Sequence, residues 1–207
     1  NRDHAHGRVY RFTAKGRPLS AVVRLKDKSV KEVCEAFFDP SDSVRLRARV
    51  ELSGRKTAEV TEKVASWSAK LDPKNASADR DEAQALLECV WVFAEHRIPN
   101  GELLTRTFEA SEPRVRAAAI RTLGLWGKEV AQWKPLLFAA SQDDSALVRA
   151  EAVKSAVGFD GSVAAEVIFN AATQAVDSEL ETVLAYARRE VSVDDLVSDA
   201  IRSGRKL

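Results

Sequence analysis

The sequence of 207 residues is poor in residues that build reactive centres. It has no methionine, three histidines and two cysteines, Cys34 and Cys89, which lie far apart without a CxxC or CxxCH spacing. This pattern suggests neither a structural zinc site nor covalent haem attachment within the chain. No run approaches the roughly 18 apolar residues of a transmembrane helix. Both cysteines fall on apolar stripes, which predicts buried thiols, with a disulfide as the alternative.

The net charge is close to zero, and glycine is rare. The 32 lysines and arginines nearly cancel 31 acidic residues and leave a net charge of +1, so electrostatics gives no reason to expect nucleic acid or an anionic membrane as a partner. Nine glycines and 7% aromatic residues favour a helical protein over an all-β one. Because the chain starts at Asn1 and contains no methionine, we expect a processed chain or a fragment of a longer protein.

What the sequence does contain is a recurring helical pattern. The segment Ser111–Trp126, SEPRVRAAAIRTLGLW, has degraded copies at Ser43–Leu52 and Ala146–Gly158. Each copy opens with small, acidic or proline residues, then has a hydrophobic residue followed by Arg, and continues as an apolar helix. Apolar stripes of this kind begin at five anchor residues: Val44, Ala83, Val115, Val148 and Leu180. Successive anchors are 39, 32, 33 and 32 residues apart, which indicates an α-solenoid with two helices per repeat.

The segments between these stripes predict the first helix of each hairpin. Ser29 is a candidate N-cap with Glu32 at the capping-box spacing. Pro135 is tolerated only near a helix start, so we expect a short turn at 129–133 and a helix from about Pro135. Further helices are predicted at 56–71, about 79–96, 101–110 and 162–174, with a terminal cap helix at 194–204. The fold expected for residues 29–207 is therefore an all-α, HEAT-like α-α superhelix of about five hairpins.

Residues 1–28 differ from the rest. The segment Gly7–Phe12, GRVYRF, alternates apolar or aromatic residues with Arg and predicts a short strand. A lone strand cannot satisfy its own backbone hydrogen bonds, so we expect this extended segment and its linker to be the end of a preceding β-propeller-like domain. His4 and His6, beside Asp3, are a weak candidate for metal binding.

Three arginines, Arg45, Arg116 and Arg149, occupy the same position in three repeats. Either they form a ladder that binds phosphate or carboxylate, or each braces its repeat by donating to loop carbonyls and nearby acids. The planar guanidinium suits the second role, and we favour it.

A candidate interaction surface comprises Trp91, His96 and Arg121. Trp91 lies on a helix that is apolar on nearly all sides, and such a helix is buried from both sides or covered by a partner. His96 ends that helix, where an imidazole can interact with the last carbonyls. No nucleophile motif such as G-x-S-x-G occurs, and we assign no catalytic, cofactor-binding or metal-binding residue.

Six segments together resemble one family. In chain order they are NRDH at 1–4, HGRVYR at 6–11, KGRPL at 15–19, VRLRARVELS at 44–53, LLECVW at 86–91 and RVRAAA at 114–119. They are similar to planctomycete-type multidomain membrane-bound dehydrogenases, also called PVC-type haem-binding proteins. In these, a glucose/sorbosone-dehydrogenase-like β-propeller precedes HEAT repeats and a cytochrome c domain. The family's helix near Trp91 is richer in histidine than this one, which keeps only His96.

The resemblance implies a parent protein that is exported to the periplasm and passes electrons from sugar or alcohol oxidation to haem. Haem c, and a quinone cofactor or calcium, would belong to its other domains and not to this chain. We therefore expect a non-catalytic scaffold whose partners are those domains or another protein. The alternative is a HEAT-like nucleic-acid-binding protein or DNA-glycosylase-type enzyme, which near-zero net charge disfavours. A bilin-lyase-like protein has only the repeat in its favour, and a cytoplasmic location stays open.

Overall fold

The computed structural model describes residues 10, 12, 15, 16, 22–78 and 80–204. Within these residues the chain forms eleven α-helices and no strand, with one isolated bridge between Ala76 and Asp81. The predicted all-α fold is confirmed. The helices are α1 (Val30–Cys34), α2 (Asp42–Ser53), α3 (Thr57–Ser68), α4 (Glu82–Glu95), α5 (Gly101–Phe108), α6 (Pro113–Trp126), α7 (Trp133–Ser141), α8 (Ala146–Ala156), α9 (Gly161–Ala171), α10 (Ser178–Glu190) and α11 (Val193–Ser203).

Five hairpins, α1/α2 to α9/α10, stack in chain order, and α11 packs on α9. The second helices form one layer in which α2, α4, α6, α8 and α10 are successive neighbours. Each presents its apolar stripe to the core, and the predicted anchors are all buried: Val44, Ala83, Val115, Val148 and Leu180. Since a hairpin cannot bury its stripe alone, the stacking itself creates the core.

Local sequence signals set the helix starts. At α1 the Ser29 N–H donates to the Glu32 carboxylate over 2.8 Å, and the Glu32 N–H donates back to Ser29 Oγ over 3.3 Å. This is the predicted capping box. The start of α4 differs from the prediction because Asp81 caps it, accepting from the Gln84 N–H over 2.8 Å. The helix therefore begins at Glu82, three residues later than predicted.

The start of α7 also differs. A short 3-10 helix covers Gly127–Glu129, and α7 begins at Trp133, two residues before the predicted Pro135. Pro135 thus lies in the first turn, where the missing N–H costs no helical hydrogen bond. The Trp133 ring stacks on Phe159 with centroids 4.5 Å apart, which holds this start against the loop between α8 and α9.

The N-terminal predictions fall largely outside the described residues. Of the predicted strand at 7–12, only Tyr10 and Phe12 are described, and both are exposed without regular secondary structure. His4 and His6 lie outside the described residues. The division of the chain at residue 28 stays a prediction. No described helix is long and apolar enough to cross a membrane.

Both cysteines are buried free thiols. Burial raises the pKa of the Cys34 thiol to about 12 and raises that of Cys89 well above its ordinary value. The protonated form is unreactive, as befits the packing role predicted for these stripes.

Candidate functional site

Arg116 binds the loop that precedes its own helix and the following repeat. Its Nη1 donates to the carbonyls of Ala110 and Ser111, each over 2.9 Å. Its Nε and Nη2 donate to the two carboxylate oxygens of Asp143, each over 2.8 Å. One guanidinium therefore ties α6 to the α7/α8 loop.

Arg149 has the same arrangement in a more buried setting, with only 1% of the residue exposed. Its Nη1 donates to the carbonyls of Asp143 and Asp144 over 2.7 and 3.0 Å and to Gln174 Oε1 over 3.3 Å. Its Nη2 donates to the Ala175 carbonyl. Burial of a charge at this depth requires such hydrogen bonds.

Arg45 completes the set in the first repeat. Its Nη1 donates to the Asp39 carbonyl over 2.6 Å, its Nη2 to Asp42, and its Nε to Glu88 Oε1 over 3.2 Å. All three equivalent arginines thus donate to carbonyls or side-chain oxygens of the chain itself, and a phosphate would have to displace those bonds. Their energetic role as braces stays a prediction.

Glu88 is a buried carboxylate between α2 and α4. Besides Arg45, it accepts from Gln84 Nε2 over 2.8 Å. Arg49 Nε lies 3.2 Å from its second oxygen, but the geometry makes no hydrogen bond, so Arg49 acts on it through charge alone. Burial raises the pKa of Glu88, and the opposing influence of Arg49, Gln84 and Arg45 does not cancel the rise.

Trp91 and His96 contact different residues. The Arg49 guanidinium lies 4.6 Å above the half-buried Trp91 ring, a cation–π contact between α2 and α4. The His96 ring joins Leu52 O through Nε2 and Thr57 Oγ1 through Nδ1, each at 3.2 Å. Since a carbonyl only accepts, Nε2 carries the proton in this arrangement. His96 therefore contacts the end of α2 as well as capping its own helix.

Arg121 pairs with a second buried carboxylate, Glu151 on α8. The two bonds measure 3.1 Å from Nε to Oε2 and 2.7 Å from Nη2 to Oε1. Lys154 adds a third bond to Glu151 Oε1 over 3.1 Å, and it also lies 3.6 Å from Glu179 on α10. The network links three successive second helices.

Apolar side chains are exposed beside this network. Leu125, one turn beyond Arg121 on α6, is 77% exposed, and Tyr186 on α10 is 64% exposed. A groove of about 300 Å³ between α8 and α10 is lined by Lys154, Val157 and Tyr186 among others. We call the following six residues the inner surface: Arg121, Leu125, Lys154, Val157, Tyr186 and Glu190. Of the three residues predicted to interact, Arg121 lies here and Trp91 and His96 do not, and their part in binding stays a prediction.

The sequence-based reasoning did not single out Glu88, Glu151 or the inner-surface apolar residues. A signal was present for the two glutamates, because each interrupts an otherwise apolar or alanine-rich helix (LLECVW and VRAEAV). A charge in such a run predicts a buried pair once a partner helix is known. Among the described residues no group of three or more His, Cys, Asp or Glu is arranged to hold a metal ion.

Comparison with known proteins identifies the repeat. A family model described as HEAT repeats matches residues 101–188, which span the hairpins α5/α6, α7/α8 and α9/α10. No curated protein and no solved structure matches the chain. These hairpins are therefore similar to HEAT repeats, and the predicted HEAT-like all-α fold is confirmed. HEAT repeats commonly form helical scaffolds for protein contacts.

Proposed function

We propose that the chain is a non-catalytic docking scaffold that binds another protein, or a neighbouring domain, through the inner surface. The observation that carries this proposal is the exposure of Leu125 and Tyr186 beside the fixed network of Arg121, Glu151 and Lys154. Apolar and aromatic anchors within a polar rim are the usual anatomy of a protein–protein interface. Ion pairs held by a buried carboxylate keep the rim in place before binding, which lowers the entropy cost of association.

The engaged arginines favour a protein partner over nucleic acid. Phosphate binding needs clustered cations that are free to make contacts, whereas Arg45, Arg116 and Arg149 are committed to loop carbonyls and carboxylates. Arg121 and Lys154 on the inner surface share the Glu151 carboxylate. The net charge of +1 also gives little long-range attraction for a polyanion.

The resemblance of the sequence to multidomain dehydrogenases supports a finer proposal. In it, the scaffold sits in an exported redox protein and holds a propeller-like and a cytochrome c-like domain at a set geometry. Haem c and any quinone cofactor or calcium ion would then belong to those domains, and the location would be the periplasm.

The test uses the domains encoded beside this chain in its reading frame, produced separately and titrated into the full chain by calorimetry. We expect Leu125→Glu and Tyr186→Glu each to weaken binding at least tenfold, about 1.4 kcal/mol, because each places a charge in the apolar part of the interface. Ile201→Glu, at an exposed position on α11, is the matched control and should bind as wild type. Equal affinity of all four proteins would rule out the inner surface.

A second experiment addresses the nucleic-acid alternative. We expect no binding of a duplex DNA to the chain at about 150 mM salt, in a titration repeated at lower salt. Tight binding with a steep dependence on salt concentration would replace the docking proposal by a nucleic-acid function. If the reading frame encodes neither a propeller nor a CxxCH segment, the redox-protein proposal fails while the docking proposal stands.

A further inference from the structure

The groove between α8 and α10 has an apolar floor. Four of its six lining residues are apolar: Val157, Val183, Tyr186 and Ala187. In the described part of the chain it opens to solvent, since Val157 is 37% and Tyr186 64% exposed. Its volume of about 300 Å³ lies at the low end for ligand pockets. The groove therefore suits one or two side chains of a partner better than a whole cofactor.

The two ends of this groove carry opposite charges, and only one of them is neutralised by the chain itself. Lys154 lies at one end, with Nζ 3.1 Å from Glu151 Oε1 and 3.6 Å from Glu179 Oε1. Glu190 lies at the other end, eleven residues after Glu179 and therefore about 16 Å farther along α10. Glu190 is exposed and, among the described residues, forms no ion pair. Its charge is thus left for a partner.

The stability of α10 does not account for Glu190. It is the last residue of the helix, where the negative end of the helix dipole disfavours a carboxylate and favours cations. Arg188 and Arg189 in the same turn are of the favoured kind. A residue that breaks a local rule of helix design without a compensating contact is typical of a functional site. The position of Glu190 at the groove gives that function a place.

The spacing of Tyr186 and Glu190 defines what would complement them. They are four residues apart, which is one turn and about 6 Å along α10. The Arg189 guanidinium lies 5.8 Å from the centre of the Tyr186 ring, and Arg189 does not line the groove. A partner helix presents residues i and i+4 on one face at the same spacing. A large apolar residue and a cation at these two positions would match the groove in shape and charge.

We propose that this groove binds a basic amphipathic helix of a partner protein. A large apolar side chain of that helix enters between α8 and α10, and a lysine or arginine one turn away pairs with Glu190. The inference rests on the docking function proposed above and adds to it the chemistry of the partner. Because charge complementarity acts mainly on specificity, Glu190 selects among partners whose apolar residue fits the groove.

The test measures fluorescence anisotropy of labelled helical peptides added to the full chain at about 50 mM salt, where screening of an exposed ion pair is weak. Two peptides carry Lys four residues before or four residues after a central Phe, so that both directions of the helix are covered. A third peptide has Glu at both places. We expect the better Lys peptide to bind with a Kd below about 300 µM and the Glu peptide at least about fivefold more weakly.

Substitutions locate the binding. Glu190→Lys should reverse the preference, so that the Glu peptide binds more tightly than either Lys peptide, and Tyr186→Glu should weaken the Lys peptides at least about fivefold. Glu109→Lys is the matched control, because Glu109 is also an exposed glutamate at the C-terminal end of a helix, α5. It should leave every affinity within about twofold of wild type. The proposal is overturned if no Lys peptide binds, if the Glu peptide binds wild type equally well, or if Glu190→Lys behaves like Glu109→Lys.

The same variant separates this inference from the docking function. If Tyr186→Glu weakens binding of the domains encoded beside this chain and Glu190→Lys does not, docking stands and the basic partner is wrong. If neither the domains nor the peptides bind, both proposals fail. Sedimentation velocity adds one more decisive result: self-association of the wild type that Tyr186→Glu abolishes would make a second copy the occupant and overturn the proposal.

Discussion

Arg121 and Glu151 join α6 to α8 through two hydrogen bonds that run from the surface to the core. The Glu151 side chain is 3% exposed, whereas that of Arg121 is 65% exposed. Burial acts to raise the pKa of Glu151, but the bonds from Arg121 and Lys154 outweigh burial, and the pKa lies below its ordinary value. The carboxylate therefore stabilises the folded chain in its ionised form.

Glu151→Gln should destabilise the chain by about 2 kcal/mol at pH 7, because the amide lacks the negative charge and one of the two acceptor oxygens to which Arg121 and Lys154 donate three hydrogen bonds. A carboxyl group with a lowered folded pKa contributes stability that is present above its unfolded pKa and is lost as pH falls through its folded pKa. The difference between wild type and variant should therefore shrink below the ordinary carboxyl value of 4.5. Urea unfolding at neutral and acidic pH measures it, and a difference independent of pH would contradict the assignment.

Glu88→Gln should behave in the opposite way. Since burial raises the pKa of Glu88, its favourable contribution is present below the unfolded pKa and is lost as pH rises through the folded pKa. At pH 7 the neutral amide should thus cost less than the same change at Glu151, within about 1 kcal/mol of wild type. The two isosteric variants are controls for each other in one set of urea curves. An equal loss in both would refute the distinction between these buried carboxylates.

The contrast between these glutamates shows how far the sequence could predict the site. Periodicity reports which face of a helix is buried, and it placed the anchors Val115 and Val148 in the core correctly. It does not report which neighbour covers a given position. Both glutamates meet arginines of the preceding repeat. Arg121 donates two hydrogen bonds to Glu151, whereas Glu88 receives one from Arg45 and none from Arg49 Nε. Only the packing of the helices determines this difference.

Arg149→Lys tests the role of the equivalent arginines as braces. An ammonium cannot supply the planar set of donors that reaches Asp143, Gln174 and Ala175 together, so buried acceptors would be left unsatisfied. We expect a loss of about 3 kcal/mol in the free energy of unfolding. Arg114→Lys, at an exposed position of α6, should change it by less than about 0.5 kcal/mol. Similar small effects at both sites would show that Arg149 is not a brace.

Gly124 sets the close approach of α6 and α8. A Cβ at this residue would lie 2.7 Å from Ser155 Oγ and 3.0 Å from Ser155 Cβ, so rotating the hydroxyl alone would not relieve the contact. Alanine is intrinsically favoured over glycine in a helix by about 1 kcal/mol, but α8 would have to move away from its packed position. We therefore expect Gly124→Ala to be destabilising by about 1–3 kcal/mol.

Gly54→Ala is the control for this change, because its added Cβ would lie 3.9 Å from the Glu51 carbonyl, an ordinary contact. It should leave stability within about 0.5 kcal/mol of wild type. Thermal unfolding followed by circular dichroism compares the two variants. If Gly124→Ala unfolds at or above the temperature of Gly54→Ala, intrinsic helix propensity outweighs the contact, and the spacing of α6 and α8 does not depend on this glycine. A lower temperature for Gly124→Ala would instead show that the interface carrying the Arg121–Glu151 pair requires a residue without a side chain at this point.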